Sequence, residues 1–260
     1  MSAKPKPNGL VYYPGAHRYK LDGEWVPGVT TIIGVLDKSR PFVSHAARTI
    51  AEYVADQPST VDLMREHGGH DPLVAFLKAI PNQRRDTAGQ RGTTFHDLAE
   101  RILLGQSVEV PAEQVGLVES AIAFLEDYKI ELPIVERVIG SREHQYAGKA
   151  DLFANGAIWD WKTGKAIYAS AAFQLNAYAG GEFMVGEDGK EHPVPECEAA
   201  YGVHIREDGY EVLPLEFGPR IFDEFLCIRK AFDINKRAEG NWKIPGTGYV
   251  GVPHIREDVA

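Results

Sequence analysis

The pattern of apolar and polar positions is most informative over residues 145–165, where it predicts a β-hairpin. Mostly apolar residues flank the dipeptide Asn155-Gly156 on both sides. This dipeptide is favoured in two-residue type I′ turns because both central positions take positive φ. Counting outward from the turn places Phe153 opposite Ile158, and the same count fixes the pairing of each residue farther along the two strands.

The count also places two carboxylates, those of Asp151 and Asp160, directly opposite each other. Like charges on opposed residues destabilise a sheet, unless one carboxyl is protonated or a cation lies between them. Lys162 lies two residues beyond Asp160 and therefore on the same face of its strand. The arrangement fits either a solvated face of alternating charges or a site for a hard divalent metal beside a positioned lysine.

The remaining pattern predicts helices and strands on both sides of this hairpin. Strands are expected over residues 11–13, 18–21, 24–26, 134–139, 199–205 and 210–215. Helices are expected over residues 46–54, 61–67, from 71 onward, 93–104, 115–128, 171–185 and 219–237. Residues 29–36 fit a short helix or a strand equally well.

Composition sets limits on the class of protein. With 260 residues, 44% of them hydrophobic and 25% charged, the chain suits one globular domain with an elaborated periphery. No apolar run could span a membrane and no secretory signal is visible, so a cytoplasmic location is expected. The net charge of −9 argues against a broad DNA-coating surface, because phosphate contacts supply most non-specific affinity.

Four short motifs follow one another in the middle of the chain. They are Arg91-Gly92-Thr93-Thr94-Phe95-His96 with Glu100, Gly148-Lys149-Ala150-Asp151, Asp160-Trp161-Lys162-Thr163-Gly164-Lys165, and Gln174 with Tyr178. Together and in this order they resemble the motifs of the PD-(D/E)XK nuclease superfamily. The match is closest to its RecB-like exonuclease branch, which includes phage-encoded and mitochondrial genome maintenance exonucleases. The resemblance is close over about residues 90–180 and loose in the flanks.

The resemblance implies an α/β fold with a restriction-endonuclease-like core, in which helices flank a central mixed β-sheet of about five strands. It implies an N-terminal β-hairpin and helical region over residues 1–90, packed on a nuclease core over residues 91–238. The helical part of the N-terminal region would roof the site. Residues 239–260 hold several Gly and Pro residues without a period and are expected to form an extended tail.

The resemblance also implies a catalytic set. Asp151 and Asp160 would bind Mg²⁺ or Mn²⁺, and His96 and the backbone carbonyl of Trp161 would complete the protein ligands. Lys162 would orient or activate the attacking water and offset developing negative charge. From the residues alone, the favoured interpretation of His96 is a surface pair with Glu100, one helical turn away.

Further residues would support this set. Gln174, Tyr178 and Arg91 are expected to contact the substrate. Glu100 and Glu136 are expected to contact the metal ligands without binding the metal themselves. A tyrosine on a helix, such as Tyr178, most often serves in partly buried packing, and Glu136 could instead pair with Arg137 or Arg142. Some relatives hold an iron–sulfur cluster through four cysteines; this chain has only Cys197 and Cys227, so no cluster is expected.

The expected function is that of a metal-dependent exonuclease, which hydrolyses phosphodiester bonds at DNA ends in recombination, repair or replication processing. DNA that is single-stranded or has free ends is the expected partner, with a single-strand-binding or annealing protein as a second one, and no membrane partner is expected. Three alternatives stay open. They are a catalytically weak DNA-end-binding recombination accessory, a structure-specific or site-specific endonuclease, and an unrelated metallohydrolase that uses some of the nine histidines.

Overall fold

The structure, a computed structural model, describes residues 9–36 and 39–239 and has a mixed β-sheet at its centre. The strands of this sheet are β4 Ile134–Ser141, β5 Tyr146–Ala154, β6 Ala157–Lys162, β7 Phe183–Val185, β8 Glu191–His192, β9 Ala199–Arg206 and β10 Gly209–Leu215. Their spatial order is β10-β9-β6-β5-β4-β7-β8, and β6 and β9 are parallel while the other neighbours are antiparallel. A separate antiparallel sheet contains β1 Leu10–Tyr13, β2 Arg18–Leu21 and β3 Glu24–Val26.

Helices cover both faces of the central sheet. They are α1 Val29–Ile33, α2 Ser39–Asp56, α3 Pro58–Gly68, α4 His70–Leu103, α5 Val115–Asp127, α6 Ser170–Ala179 and α7 Pro219–Glu239. On one face, α1, α6 and α7 contribute Ile32, Leu175 and Phe225 to a buried cluster. On the other face, α4 and α5 contribute Phe95 and Phe124 to a second cluster. The predicted α/β class with a mixed sheet between helices is therefore confirmed.

The sheet has seven strands within the described residues, so the expectation of about five was wrong. The two extra strands are short. Strand β7 occupies the end of the segment predicted as a helix over 171–185, because α6 stops at Ala179 and Gly180-Gly181 follows it. Strand β8 has two residues, which is too short to give an alternating pattern.

The hairpin forms where the sequence predicts it. Asn155 and Gly156 have φ of 53° and 69°, as a type I′ turn requires. The counted register is confirmed for the three pairs next to the turn, including Phe153 with Ile158. The described β5–β6 ladder consists of these three pairs and ends before Asp151, so the expected ladder pair of Asp151 with Asp160 is not part of it.

Strand β5 changes the face that its side chains occupy at Asp151. Ala150 and Phe153 belong to one buried cluster and Leu152 to the other, so the two-residue period is interrupted between them. Opposite this point, Glu136 has a φ of 53° and is skipped in the β4–β5 ladder. Positive φ at a residue with a side chain is uncommon and clusters at functional sites. The irregularity turns Glu136 and Asp151 out of the ladder at one place.

Helix α4 differs most from the prediction. It is a single helix of 34 residues that runs through the segment between the two predicted helices and contains Pro81. The intervening residues 82–94 are largely exposed, so they carry no apolar stripe by which a helix could be recognised. The helix also crosses the boundary drawn between residues 90 and 91.

The remaining elements follow the prediction closely. Residues 29–36, which fitted either type, begin with the short helix α1. No helix within residues 9–36 and 39–239 is both long enough and apolar enough to cross a lipid bilayer. The tail expected over residues 239–260 lies outside the described residues from position 240 onward.

Candidate metal centre

Three side chains from three elements converge beside the irregular part of the sheet. His96 of α4, Glu136 of β4 and Asp151 of β5 each present one ligand atom, and these atoms all lie within 4.8 Å of one another. His96 Nδ1 is 3.5 Å from Asp151 Oδ2 and 3.8 Å from Glu136 Oε1. One imidazole nitrogen and two carboxylates suit a divalent ion such as Mg²⁺ or Mn²⁺. We call these three residues the metal trio.

The next strand places an acidic and a basic side chain beside the metal trio. Lys162 Nζ of β6 is 2.6 Å from Asp160 Oδ2. Asp160 is only 1% exposed, and its Oδ2 accepts no aligned hydrogen bond from the described part of the chain, so its contact with Lys162 is an ion pair. A buried carboxylate oxygen in this state could bind a cation. The structure thus brings Lys162 and Asp160 together as the sequence predicts.

The backbone of β6 holds Asp151 in place. The Trp161 N–H donates to Asp151 Oδ2 at 2.9 Å, so a side-chain oxygen accepts the hydrogen bond just beyond the end of the β5–β6 ladder. The Trp161 ring is buried edge-on against Phe95 and Phe124. Packing of the indole therefore fixes the amide that orients Asp151. A role for the Trp161 carbonyl as a metal ligand stays a prediction.

Glu136 is linked to a lysine as well as to His96. Lys149 Nζ is 2.5 Å from Glu136 Oε2 and 3.8 Å from Glu100 Oε2. Burial alone would raise the pKa of Glu136, but His96 and Lys149 outweigh burial and lower it. The alternative pairing of Glu136 with an arginine is wrong for the described residues, because the neighbouring arginines bind other acids. Glu100 reaches this group through Lys149.

The electrostatics of the trio favour bound cations. Burial alone would lower the pKa of His96, but the charge of Asp151 and the contact with Glu136 raise it to about 9. Burial raises the pKa of Asp151 to about 7, with the Asp160 and Glu136 charges adding to burial and the His96 and Lys162 charges opposing it. His96 and Asp151 of the metal trio therefore retain protons that a divalent ion would displace.

Gln174 contacts both Asp160 and Tyr178 through its side-chain amide. Gln174 Nε2 donates to Asp160 Oδ1 at 3.2 Å and to Tyr178 Oη at 3.1 Å. The Tyr178 side chain is 3% exposed, and its ring lies so close to Gly148 that a Cβ there would overlap it. The glycine of the Gly148–Asp151 motif thus admits the ring. The two side chains orient Asp160, while their predicted contact with substrate stays a prediction.

Arg91 does not join this group of contacts. Its guanidinium is 2.5 Å from Glu207 Oε1, in the turn between β9 and β10, and 3.4 Å from the Glu113 carbonyl. The Gln114 side-chain amide donates in turn to the Arg91 carbonyl at 3.1 Å. Arg91 therefore ties α4 to the segment before α5 and to the β9–β10 turn. Its expected contact with substrate stays a prediction.

The charges of Asp160 and Lys162 act on Asp151, which links their ion pair to the metal trio. In comparisons with known proteins, no family model and no curated protein matches this chain. A function for the site must therefore be inferred from its own residues and from the motifs that they belong to.

Proposed function

We propose that the protein is a metal-dependent exonuclease that hydrolyses phosphodiester bonds at DNA ends, in recombination, repair or replication processing. The observation that carries the proposal is the convergence of the metal trio, His96, Glu136 and Asp151, beside the ion pair of Asp160 with Lys162. Acidic ligands for a hard cation next to a positioned ammonium are the groups that phosphoryl transfer needs.

The donor set fits Mg²⁺ or Mn²⁺. The trio would hold the ion, and Asp160 would be a further ligand, because its buried Oδ2 accepts no aligned hydrogen bond from the described chain. When bound, such an ion polarises a phosphoryl oxygen and lowers the pKa of a bound water. Compared with the set predicted from the motifs, Glu136 moves from a supporting position to a ligand.

Lys162 supplies positive charge to the reacting phosphate. Burial alone would lower the pKa of Lys162, but Asp160 and Asp151 raise it, so the ammonium stays charged at neutral pH. A charged donor held in place offsets the negative charge that grows on the phosphoryl oxygens in the transition state. Gln174 supports this arrangement, because it binds Asp160 Oδ1 and leaves Oδ2 to Lys162 and the ion.

The proposal includes a restriction-endonuclease-like core. Its support is the order of elements around the site, in which α5 and β4 precede the β5–β6 hairpin, and α6 connects β6 to the parallel strand β9. DNA with free or single-stranded ends is the proposed partner, with a single-strand-binding or annealing protein as a second one.

Digestion of end-labelled DNA tests this proposal. Linear single-stranded and double-stranded DNA, labelled at the 5′ or the 3′ end, and closed circular DNA are incubated with Mg²⁺, Mn²⁺ or EDTA. We expect the linear forms to be shortened from an end in either metal, and the circle to be spared. Cutting of the circle would identify an endonuclease, whereas binding without cleavage would identify a DNA-end-binding accessory.

A further inference from the structure

A groove lies between α2 and α4, outside the metal centre. It encloses about 720 Å³, and its lining includes Phe42, Arg48, Glu52, Arg84, Arg85 and Lys165. These residues supply four positive charges and one negative charge. The whole chain has a net charge of −9, so the groove is a local exception to an acidic protein. Such a concentration of positive charge favours an anionic ligand.

Two of the four cations form no ion pair with an acidic residue in the part of the chain that the structure describes. Arg48 is paired with Glu52 at 2.7 Å and Arg85 with Asp86 at 3.1 Å. Arg84 and Lys165 are exposed and form no ion pair within residues 9–36 and 39–239. Both lie near Glu52, since their charges add to the hydrogen bond from Arg48 in lowering the pKa of that carboxyl. Two unpaired cations thus face one groove.

The groove is connected to the metal centre through the end of β6. Lys165 follows Lys162 by three residues, and the intervening Thr163 lies against Gly92 of α4, one helical turn before His96. Arg84 precedes His96 by 12 residues on the same helix, which places it about 18 Å away along the axis. A chain-like anion that reached the metal trio could therefore extend along α4 over these cations.

We propose that the groove between α2 and α4 binds single-stranded DNA that leads to the metal centre, with Arg84 and Lys165 on phosphates and Phe42 stacked on a base. This inference deepens the proposed function and rests on it for the identity of the anion. Phe42 is 61% exposed at the groove. Bases in a duplex already stack on one another, so the exposed Phe42 ring would stack on the bases of an unpaired strand.

Binding measured without cleavage tests the phosphate contacts. Fluorescence anisotropy of a labelled 20-nucleotide oligo(dT) and of a 20-base-pair duplex is followed in EDTA over a range of salt concentrations. The test variant is Arg84→Gln/Lys165→Gln. The matched control is Lys230→Gln/Arg237→Gln, which removes the same two charge types from exposed positions of α7 that do not line the groove.

The test variant should bind oligo(dT) roughly tenfold more weakly at 0.1 M salt, and its slope of log K against log salt should be shallower by about 1.4, because each phosphate contact on a single strand contributes roughly 0.7. The control should bind like the parent. Equal losses in the two variants would overturn the inference, because the effect would then be that of net charge alone.

Phe42→Ala tests the preference for single strands. It should weaken oligo(dT) binding by about tenfold, within the range for one stacked base, and leave duplex binding unchanged. Because the side chain is exposed, the variant should fold as the parent does. If the parent binds the duplex as tightly as oligo(dT), and Phe42→Ala changes neither affinity, the groove is not a single-strand site.

Digestion of labelled DNA with Mg²⁺ or Mn²⁺ separates this inference from the proposed function. If the parent digests DNA but the test variant binds oligo(dT) like the parent, the groove inference fails and the hydrolase remains. If the test variant binds oligo(dT) more weakly than the parent, as expected, but the parent digests no DNA in either metal, the proposed hydrolysis fails and the groove inference remains.

Discussion

Glu136 lies at the point of the site where the sequence was least informative. Within one strand, a glutamate beside an arginine gives no sign of the positive φ that turns its side chain out of the ladder. The residues of the hairpin were easier to identify, because the type I′ turn locates the two strands and the two-residue period of β6 puts Asp160 and Lys162 on one face. The convergence of His96 with Glu136 depends on packing α4 against the sheet, which no local pattern contains.

Substitution of Glu136 tests its place among the ligands. Glu136→Gln should raise the Mn²⁺ concentration for half-maximal cleavage by more than about tenfold, because an amide replaces a charged ligand. Glu100→Gln should raise it far less, since the Glu100 carboxylate contacts Lys149 at 3.8 Å and is not one of the three converging ligands. The measurement is a metal titration of the cleavage rate, and equal shifts in both variants would contradict the assignment.

Substitution of Gln174 should lower the cleavage rate more than substitution of Tyr178. Gln174→Ala removes the amide that orients Asp160, and we expect the rate to fall at least about tenfold. Tyr178→Phe keeps the ring that packs on Gly148 and loses a hydroxyl that accepts from Gln174, so a smaller loss is expected. Single-turnover rates of both variants at saturating metal make the comparison. A larger loss for Tyr178→Phe would point to a catalytic hydroxyl instead.

Gly148 leaves room for the Tyr178 ring, which packs directly against it. Gly148→Ala places a Cβ against the Tyr178 ring, and overpacking of this kind costs about 1–3 kcal/mol of unfolding free energy. Gly89→Ala is the control, since a Cβ there meets no atom within 4 Å and alanine favours the helix by up to about 1 kcal/mol. Urea unfolding measures both variants. Similar unfolding free energies for Gly148→Ala and Gly89→Ala would show that packing of the Tyr178 ring does not require a glycine at position 148.

At the scale of elements, the sequence predicts what repeats locally and misses what depends on neighbours. Strands β4, β9 and β10 are rich in β-branched and aromatic residues and lie next to turn residues, so the sequence places them within one or two residues of their ends. Strand β7 was predicted as helix because three residues do not establish a period, and they become a strand by pairing with β4. Helix α4 was divided in two because its exposed middle lacks an apolar stripe.

The turn between β4 and β5 gives a prediction for acid stability. Glu182 Oε1 accepts hydrogen bonds from Ser141 Oγ at 2.7 Å and from the Glu143 N–H at 2.6 Å. Burial alone would raise the pKa of Glu182, but these hydrogen bonds outweigh it and lower the pKa. Unfolding then takes up protons, so this contribution to stability is present above the unfolded pKa of about 4.3 and is lost as the pH falls through the lower folded pKa.

Glu182→Gln should therefore lower the unfolding free energy at pH 7 by about 1 kcal/mol and make its dependence on pH shallower below pH ~5. The exposed Glu126→Gln of α5 serves as the control and should follow the parent. Urea unfolding at several pH values makes the comparison. A Glu182→Gln curve parallel to that of the parent would show that the turn does not depend on the ionised carboxylate.

At the scale of the whole molecule, the metal should control activity. We expect EDTA to abolish cleavage and Mg²⁺ or Mn²⁺ to restore it, whereas Ca²⁺ should support binding without cleavage, because its looser coordination misplaces the attacking water. The acidic chain, with a net charge of −9, also predicts that DNA affinity depends on a local groove and is modest at physiological salt. Full cleavage in chelator would exclude the metal mechanism.

The most direct test of a metal-dependent nuclease at this site is Lys162→Ala, assayed for DNA binding by gel shift in Ca²⁺ and for cleavage in Mg²⁺. Lys162 acts on the transition state, so the rate should fall at least about a hundredfold while DNA affinity stays within about threefold of the parent. Circular dichroism and thermal unfolding establish that the variant is folded, since Asp160 loses its ion-pair partner. Cleavage by folded Lys162→Ala at close to the parent rate would contradict the account.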